Sequence, residues 1–425
     1  MIDKNLLTFF NQLRGTIGYY NFYSNAIKLI FIKYLLTFSD QLDIKDIKSY
    51  KAISEFKRKY DEAKNGAFVI HKEDVAEMLG SVECLKKESN VHLASISDDL
   101  NFLYDPVAQR DILSSLDALI LKNDRESVKE VCEYLIYSSY NDVSKTGSFI
   151  TSKALRVICM SLLEVEHEDA YMDCYAGFSS SLAEVKGLGR YIGYEINSEA
   201  ALVSTIICIM MGIPNFEIRN EDFLFAETDN KADKVLSDVL LGYKREYPDL
   251  SKKYATTTKD IDVLSFYKAY YSAKENGRIV LTVPGKFLFS TAKAFVELRE
   301  RITKGGLRAV VSLPPLWHGA SVGTNLIYIE KSYRGEIEFV SAAKTKFGNK
   351  RDSFELLNTG NVVSAIREQW INEGTENSVS VEEVLAQDSW VPERYVNTEK
   401  KNEYRSVSEI DEELTSLYEQ LRQNL

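Results

Sequence analysis

Apolar positions in the first third of the chain recur every three to four residues. Leu6, Phe9, Phe10 and Leu13 form one stripe, and Ala26, Leu29, Ile30, Tyr34 and Leu35 form another. That period stacks apolar side chains on one helix face and predicts amphipathic helices. A more polar segment, Arg125 to Tyr137, repeats it with Val128, Val131, Leu135 and Ile136. Near Ser148 the period changes. Short apolar runs now alternate with helical stretches such as Ser198 to Met211 and Ala292 to Ile302. The runs are Ala170 to Asp173, Tyr191 to Glu195, Phe216 to Arg219 and Lys234 to Ser237, then Arg278 to Val283, Leu307 to Leu313 and Asn325 to Ile329. Strands alternating with helices predict an α/β fold with a mostly parallel sheet covered on both faces. From about Glu336 the pattern is mixed, then helical again.

The chain has 425 residues, 45% of them hydrophobic. It is long enough for two or three domains, at about 100–200 residues each. Its greasiest stretch, Ala26 to Phe38, carries Lys28 and Lys33. A membrane span needs about 20 mostly apolar residues, so this stretch reads as a buried helix and no membrane is expected. The start, Met1-Ile2-Asp3-Lys4, lacks a basic-then-apolar signal, so a cytoplasmic protein is expected. Five scattered cysteines form no C-x-x-C pair, so no metal is expected. The net charge of −11 argues against a chain that grips long DNA alone, because nonspecific affinity comes from neutralising phosphates. A local basic run (Lys344, Lys346, Lys350, Arg351) or a basic partner remains compatible with DNA.

Candidate chemistry gathers where the first strands end. Asp173-Cys174-Tyr175-Ala176-Gly177-Phe178-Ser179-Ser180-Ser181-Leu182 follows a strand and opens a helix, the place where doubly wound sheets bind ligands. Glu195 ends the second strand, where a carboxylate accepts hydrogen bonds from ribose hydroxyls. Asp222 follows the third strand, within reach of a purine amine. An ordinary strand-turn-helix with exposed acids gives the same pattern.

A family resemblance sharpens this reading. Gly147-Ser148-Phe149-Ile150-Thr151-Ser152 resembles the G-x-(F/Y)-x-T-P segment of modification (M) subunits of type I restriction systems. Asp173 to Leu182 resembles their D-P-(A/C)-x-G-(S/T)-G-G-(F/L) loop. Gly277 to Pro284 resembles the strand G-R-x-A-x-V-x-P, and Leu313 to Trp317 the motif L-P-x-x-(L/F)-F. Gly323 to Lys331 resembles the late strand that closes the sheet. The resemblance covers most of the chain and is strongest from Gly277 to Lys331. It implies a Rossmann-like DNA adenine-N6 methyltransferase fold that uses S-adenosylmethionine, with Asp173, Gly177, Glu195 and Asp222 at the cofactor.

The same comparison shows departures. Active members carry N-P-P-(F/Y) after the fourth strand, where the Asn and a backbone carbonyl hold the adenine amine and the ring stacks on the flipped base. Here Asp238 stands in the Asn position, followed by Val239, Leu240 and Leu241. Tyr243 could supply a ring only with a shifted register. In the cofactor loop Ser179 and Ser180 replace glycines and Cys174 a proline, while Ser152 replaces the upstream proline. A serine forced to φ > 0 costs about 1 kcal/mol or more, or reshapes the loop. Weak or absent cofactor binding is therefore expected.

The expected organisation is a helical N-terminal domain (1–145), a methyltransferase-like α/β domain (146–335) and a helical C-terminal extension (336–425). The tail carries Val407, Ile410, Leu414, Leu417 and Leu421 at helical spacing behind a Ser406–Glu409 capping pattern. By the resemblance, that helix binds a specificity-subunit-like partner, and an oligomer is compatible with it. The expected function is a catalytically degenerate subunit of a DNA modification, restriction or related defence complex. The alternative is an active S-adenosylmethionine-dependent adenine-N6 methyltransferase with divergent motifs.

Overall fold

The structure is a computed structural model describing residues 4–17, 22–122, 124, 126–134, 151–227, 231–238, 244, 246–313, 324–341 and 378–395. The N-terminal part is helical, with helices Lys4–Ile17, Phe22–Phe38, Ile47–Lys64, Lys72–Ser81 and Pro106–Asp117, and a further one at 126–134. Leu6, Phe9, Phe10 and Leu13 are the buried face of the first. Phe22–Phe38 is apolar nearly all round and lies at the centre of the core. Helix starts follow local chemistry. Asp46 accepts the Ser49 amide, and Asp105 accepts those of Val107 and Ala108 ahead of Pro106. No helix among the described residues is long and apolar enough to cross a membrane.

The sheet has nine strands: β1 (Ala170–Asp173), β2 (Arg190–Tyr194), β3 (Phe216–Arg219), β4 (Ala232–Ser237), β5 (Ala273–Val283), β6 (Leu307–Leu313), β7 (Thr324–Glu330), β8 (Ile337–Ser341) and β9 (Ser378–Val379). Their order is β3-β2-β1-β4-β5-β7-β6-β8-β9. The strands from β3 to β5 are parallel, and β7 inserts antiparallel between β5 and β6. The chain winds outward from β1 to β3, then returns to the other side of β1. A crevice therefore opens between the carboxyl ends of β1 and β4, the switch point where such sheets bind ligands.

Two features differ from the pattern read in the sequence. The sheet runs past residue 335, because β8 pairs with β6 and β9 with β8. The loop after β1 opens only the 3-10 turn Ser180–Glu184, not an α-helix. Gly187 and Gly189 follow at once, and Gly189 already donates its amide to the Asp169 carbonyl, so the chain turns directly into β2.

Both flanks are tied to the sheet. The N-terminal part covers the free edge of β3: the Ile218 amide donates to Ser89 Oγ (2.8 Å) and the Asn90 amide to the Ile218 carbonyl (3.2 Å). An open edge would otherwise invite pairing with another chain. On the other flank, Trp390 is fully buried and its indole N–H donates to Thr303 Oγ1 (3.1 Å). Arg299, also buried, donates to Asp388 and to the carbonyls of Phe287 and Ser290. The tail helix and the basic run at 344–351 lie outside the described residues.

Truncating Trp390 leaves a large cavity between helices Ile261–Ser272 and Lys293–Lys304. Trp390→Ala should cost about 3–5 kcal/mol, read as a lower urea midpoint. A loss below about 1 kcal/mol would show that this segment does not anchor on those helices.

Candidate functional site

The carboxyl ends of β1, β2 and β4 bring Asp173, Glu195 and Asp238 to one edge, with Gly177 in the loop above β1. The loop after β1 folds back over β2. The Ala176 amide donates to the Tyr194 carbonyl (2.8 Å). Gly193 permits this approach, since a Cβ there would meet Ala176 Cβ at 3.1 Å and Ile218 Cδ1 at 2.9 Å. Gly177 and Ser179 both take left-handed backbone, at φ +52° and +53°. Ser179 thus keeps the conformation a glycine would adopt. Its buried hydroxyl bonds the Tyr191 hydroxyl (2.7 Å) and Ser204, which offsets the strain.

Each acid has internal partners. Asp173 is buried and accepts from the Ser181 hydroxyl (2.9 Å), the Tyr175 amide (3.3 Å) and the Tyr171 hydroxyl (3.4 Å). Glu195 accepts the Gly177 amide on Oε2 (2.9 Å) and the Asn197 amide on Oε1 (2.7 Å). Burial raises its pKa. Asp222 accepts the Leu224 amide (2.9 Å) and so shapes the turn after β3. Buried Lys268 supports that turn, donating to the Ala226 carbonyl (2.5 Å) over the Phe223 ring; burial pushes its pKa down to about 8.

Asp238 closes the crevice. Thr151 Oγ1 donates to its Oδ2 (2.5 Å) and Thr282 Oγ1 to its Oδ1 (2.8 Å). Thr151 comes from the upstream segment and Thr282 from β5, so the carboxylate joins three separate stretches of chain. Ser152, in place of a proline, caps helix Lys153–Leu163 by accepting the Leu155 amide (3.3 Å). Residues 239–241, 243 and 147–150 lie outside the described residues.

The sequence reading missed Thr151 and Thr282 as partners of Asp238; only their place beside family motifs hinted at them. It also missed Ile196 and Phe225, which are 70% and 58% exposed beside Glu195 and Asp222. Lys286 is held between Asp260 (2.9 Å) and Asp262 (2.8 Å).

Strand order, switch-point acids and glycine-bearing loop together define a Rossmann-like methyltransferase. The chain matches the N-6 DNA Methylase family model over residues 123–404 and belongs to that family. No curated protein sequence matches it. Among solved structures it is similar to the type I restriction-modification methyltransferase subunit from Streptococcus thermophilus, with TM-score 0.74 and 17% identity, covering 93% of this chain and 98% of that one. It is similar to a chain from a type I restriction-modification assembly, with TM-score 0.65 and 17% identity over 98% of this chain and 96% of that one. A modification subunit assigned to a type I restriction enzyme of Vibrio vulnificus YJ016 gives TM-score 0.60 and 12% identity, over 88% and 91%. At these identities the likeness is one of fold.

Burial raises the pKa of Asp173 to about 7 and of Asp238 to about 6; Asp238 adds repulsion at Asp173, and the hydroxyl donors oppose the shifts. Unfolded aspartates titrate near about 3.9. Below that value both states are protonated and the two groups contribute nothing. Above it the unfolded state releases its protons while the folded state keeps them, so stability falls from about pH 4 and levels once pH passes the folded values of about 6 and about 7. Against wild type, the double variant Asp173→Asn, Asp238→Asn should gain about 2 kcal/mol or more between pH 5 and 8 in urea titrations. A difference independent of pH would contradict the assignment.

Proposed function

We propose that this chain is a catalytically degenerate DNA adenine methyltransferase-like subunit, acting in a DNA modification, restriction or related defence complex. The observation that carries the reading is the clamp on Asp238. Adenine-N6 transfer needs the amino nitrogen held in line with the sulfonium methyl, and such positioning supplies about 7–11 kcal/mol of the barrier. Asp238 stands where the family's acceptor stands, yet Thr151 and Thr282 donate to both of its oxygens. The following Val239, Leu240 and Leu241 offer no ring to a flipped base and no prolines to fix the carbonyl.

The cofactor side supports the same reading. With the Gly177 and Asn197 amides on Glu195, the oxygens that would take ribose hydroxyls already have donors. To enter this notch between β1 and β2, the ribose of S-adenosylmethionine would have to share or displace those donors. DNA and a specificity-subunit-like protein are the partners the reading requires, in keeping with the type I systems of the similar structures. A net charge of −11 leaves most phosphate contact to that partner.

One observation favours the alternative of an active methyltransferase. Ile196 and Phe225 expose apolar surface beside Glu195 and Asp222, a setting that suits a purine.

Calorimetry with micromolar S-adenosylmethionine should detect no binding; tight binding that vanishes in Glu195→Ala would show that the notch accepts the cofactor. Transfer of labelled methyl to mixed-sequence DNA by the purified chain should be absent. Incorporation that Asp238→Ala abolishes would make Asp238 a working catalytic residue and overturn the degenerate reading.

A further inference from the structure

Helix Ile261–Ser272 ends where β5 begins, so its last turn lies at the amino ends of β4 and β5. That is the edge opposite Asp173 and Asp238, about 20 Å away along the strands. Four tyrosines meet there. The Tyr254 ring stacks on Tyr271, with centroids 5.5 Å apart and planes 1° from parallel, and on Tyr267 at 6.0 Å. Tyr270 meets Tyr271 edge-on at 5.2 Å. Tyr254 and Tyr267 are buried, whereas Tyr271 is 40% exposed. The stack is held in place. Arg301 lies over the Tyr267 ring (4.7 Å) and donates to the Tyr254 carbonyl (2.7 Å), and the Tyr270 hydroxyl donates to the Gly305 carbonyl (3.0 Å). Tyr271 is thus an exposed ring on a fixed support.

The charge around the stack leans positive, in a chain whose net charge is −11. Lys253 reaches the Tyr254 ring (5.9 Å), and Arg301 and Arg334 both lie within electrostatic reach of Tyr270. Lys252, Lys253, Arg301 and Arg334 have no ion-pair partner among the described residues. The nearby acids are taken: Glu275 lies against Lys331 (3.7 Å) and Lys231 (3.9 Å), and Glu297 against Lys293 (3.6 Å). Unpaired cations around a fixed ring match a single strand of nucleic acid. Its bases each offer a face to stack, and its phosphates need neutralising. A duplex keeps its base faces stacked on one another, and an acidic peptide would use the cations alone.

We propose that Tyr271 and the cations around it form a binding surface for a single strand of nucleic acid, separate from the crevice at the carboxyl ends of the strands. The inference rests on these contacts and stands whether or not Asp238 is catalytically competent.

The test measures binding of a labelled single-stranded oligothymidylate to the full chain by fluorescence anisotropy, across a salt series and without S-adenosylmethionine. Tyr271→Phe keeps the ring and should bind as wild type does. Tyr271→Leu should bind about fivefold more weakly or worse, with the salt dependence unchanged. Lys252→Gln combined with Lys253→Gln should flatten the slope of log K against log salt by up to about 1.4. Lys45→Gln, a side chain 85% exposed in the N-terminal part, is the control and should change neither quantity. An abasic strand of equal length reads stacking on the wild-type chain itself, and should also bind about fivefold more weakly or worse. No binding by wild type, or equal affinity for the abasic strand, overturns the proposal. So does wild-type affinity in a folded Tyr271→Leu. Equal binding of duplex DNA would make the surface a duplex contact, and competition by polyglutamate at matched charge would make it an acidic-protein site; either result refutes the single-strand reading.

Discussion

The burial of Asp173 and Asp238 at the ends of neighbouring strands sets the terms for everything around them. An ionised carboxylate removed from water is costly unless donors replace its hydration. Neither acid has an ion-pair partner among the described residues, and each raises the proton affinity of its surroundings, including Cys159 on the helix below. The donors come instead from four separate stretches: Ser181 and the Tyr175 amide of the loop, Tyr171 of β1, Thr151 from upstream and Thr282 of β5. Hydrogen bonds to a charged group are worth about 1.5–3 kcal/mol each, enough to hold the loop and the upstream segment against the sheet.

That arrangement recasts the loop serines. Read as replacements for glycine, they mark a loop strained or reshaped away from its ligand. In place, Ser179 adopts left-handed backbone and bonds Tyr191 and Ser204, while Ser181 solvates Asp173. The loop is held by the protein's own hydrogen bonds. A loop of this kind gains little from a ligand that must displace its own hydrogen bonds, and the N-terminal helix reinforces it through Phe178.

Much of the fold was legible because its strands are flanked by helices of clear period. The runs from Ala170 to Ile329 fall on β1 to β7 within a few residues, and the stripe Leu6, Phe9, Phe10, Leu13 is the buried face of the first helix. β8 was not read: Ile337 to Ser341 is a five-residue run whose strand character comes from pairing with β6. β9 has two residues and rests on contacts such as Ser378 to Glu338, which no local pattern announces. At the candidate site, the positions of Asp173, Gly177, Glu195 and Asp222 at or after strand ends were legible. Thr151, Thr282 and Lys268 were not, because their roles depend on which distant segments the sheet brings together.

The central claim is that the acids at the switch point are committed to the protein's own donors. A crystal structure of the full chain grown in excess S-adenosylmethionine tests it most directly. The account predicts an empty notch, with Gly177 still on Glu195 and both threonines still on Asp238. Cofactor seated with its ribose on Glu195, and an Asp238 carboxylate turned free of Thr151 and Thr282, would contradict it.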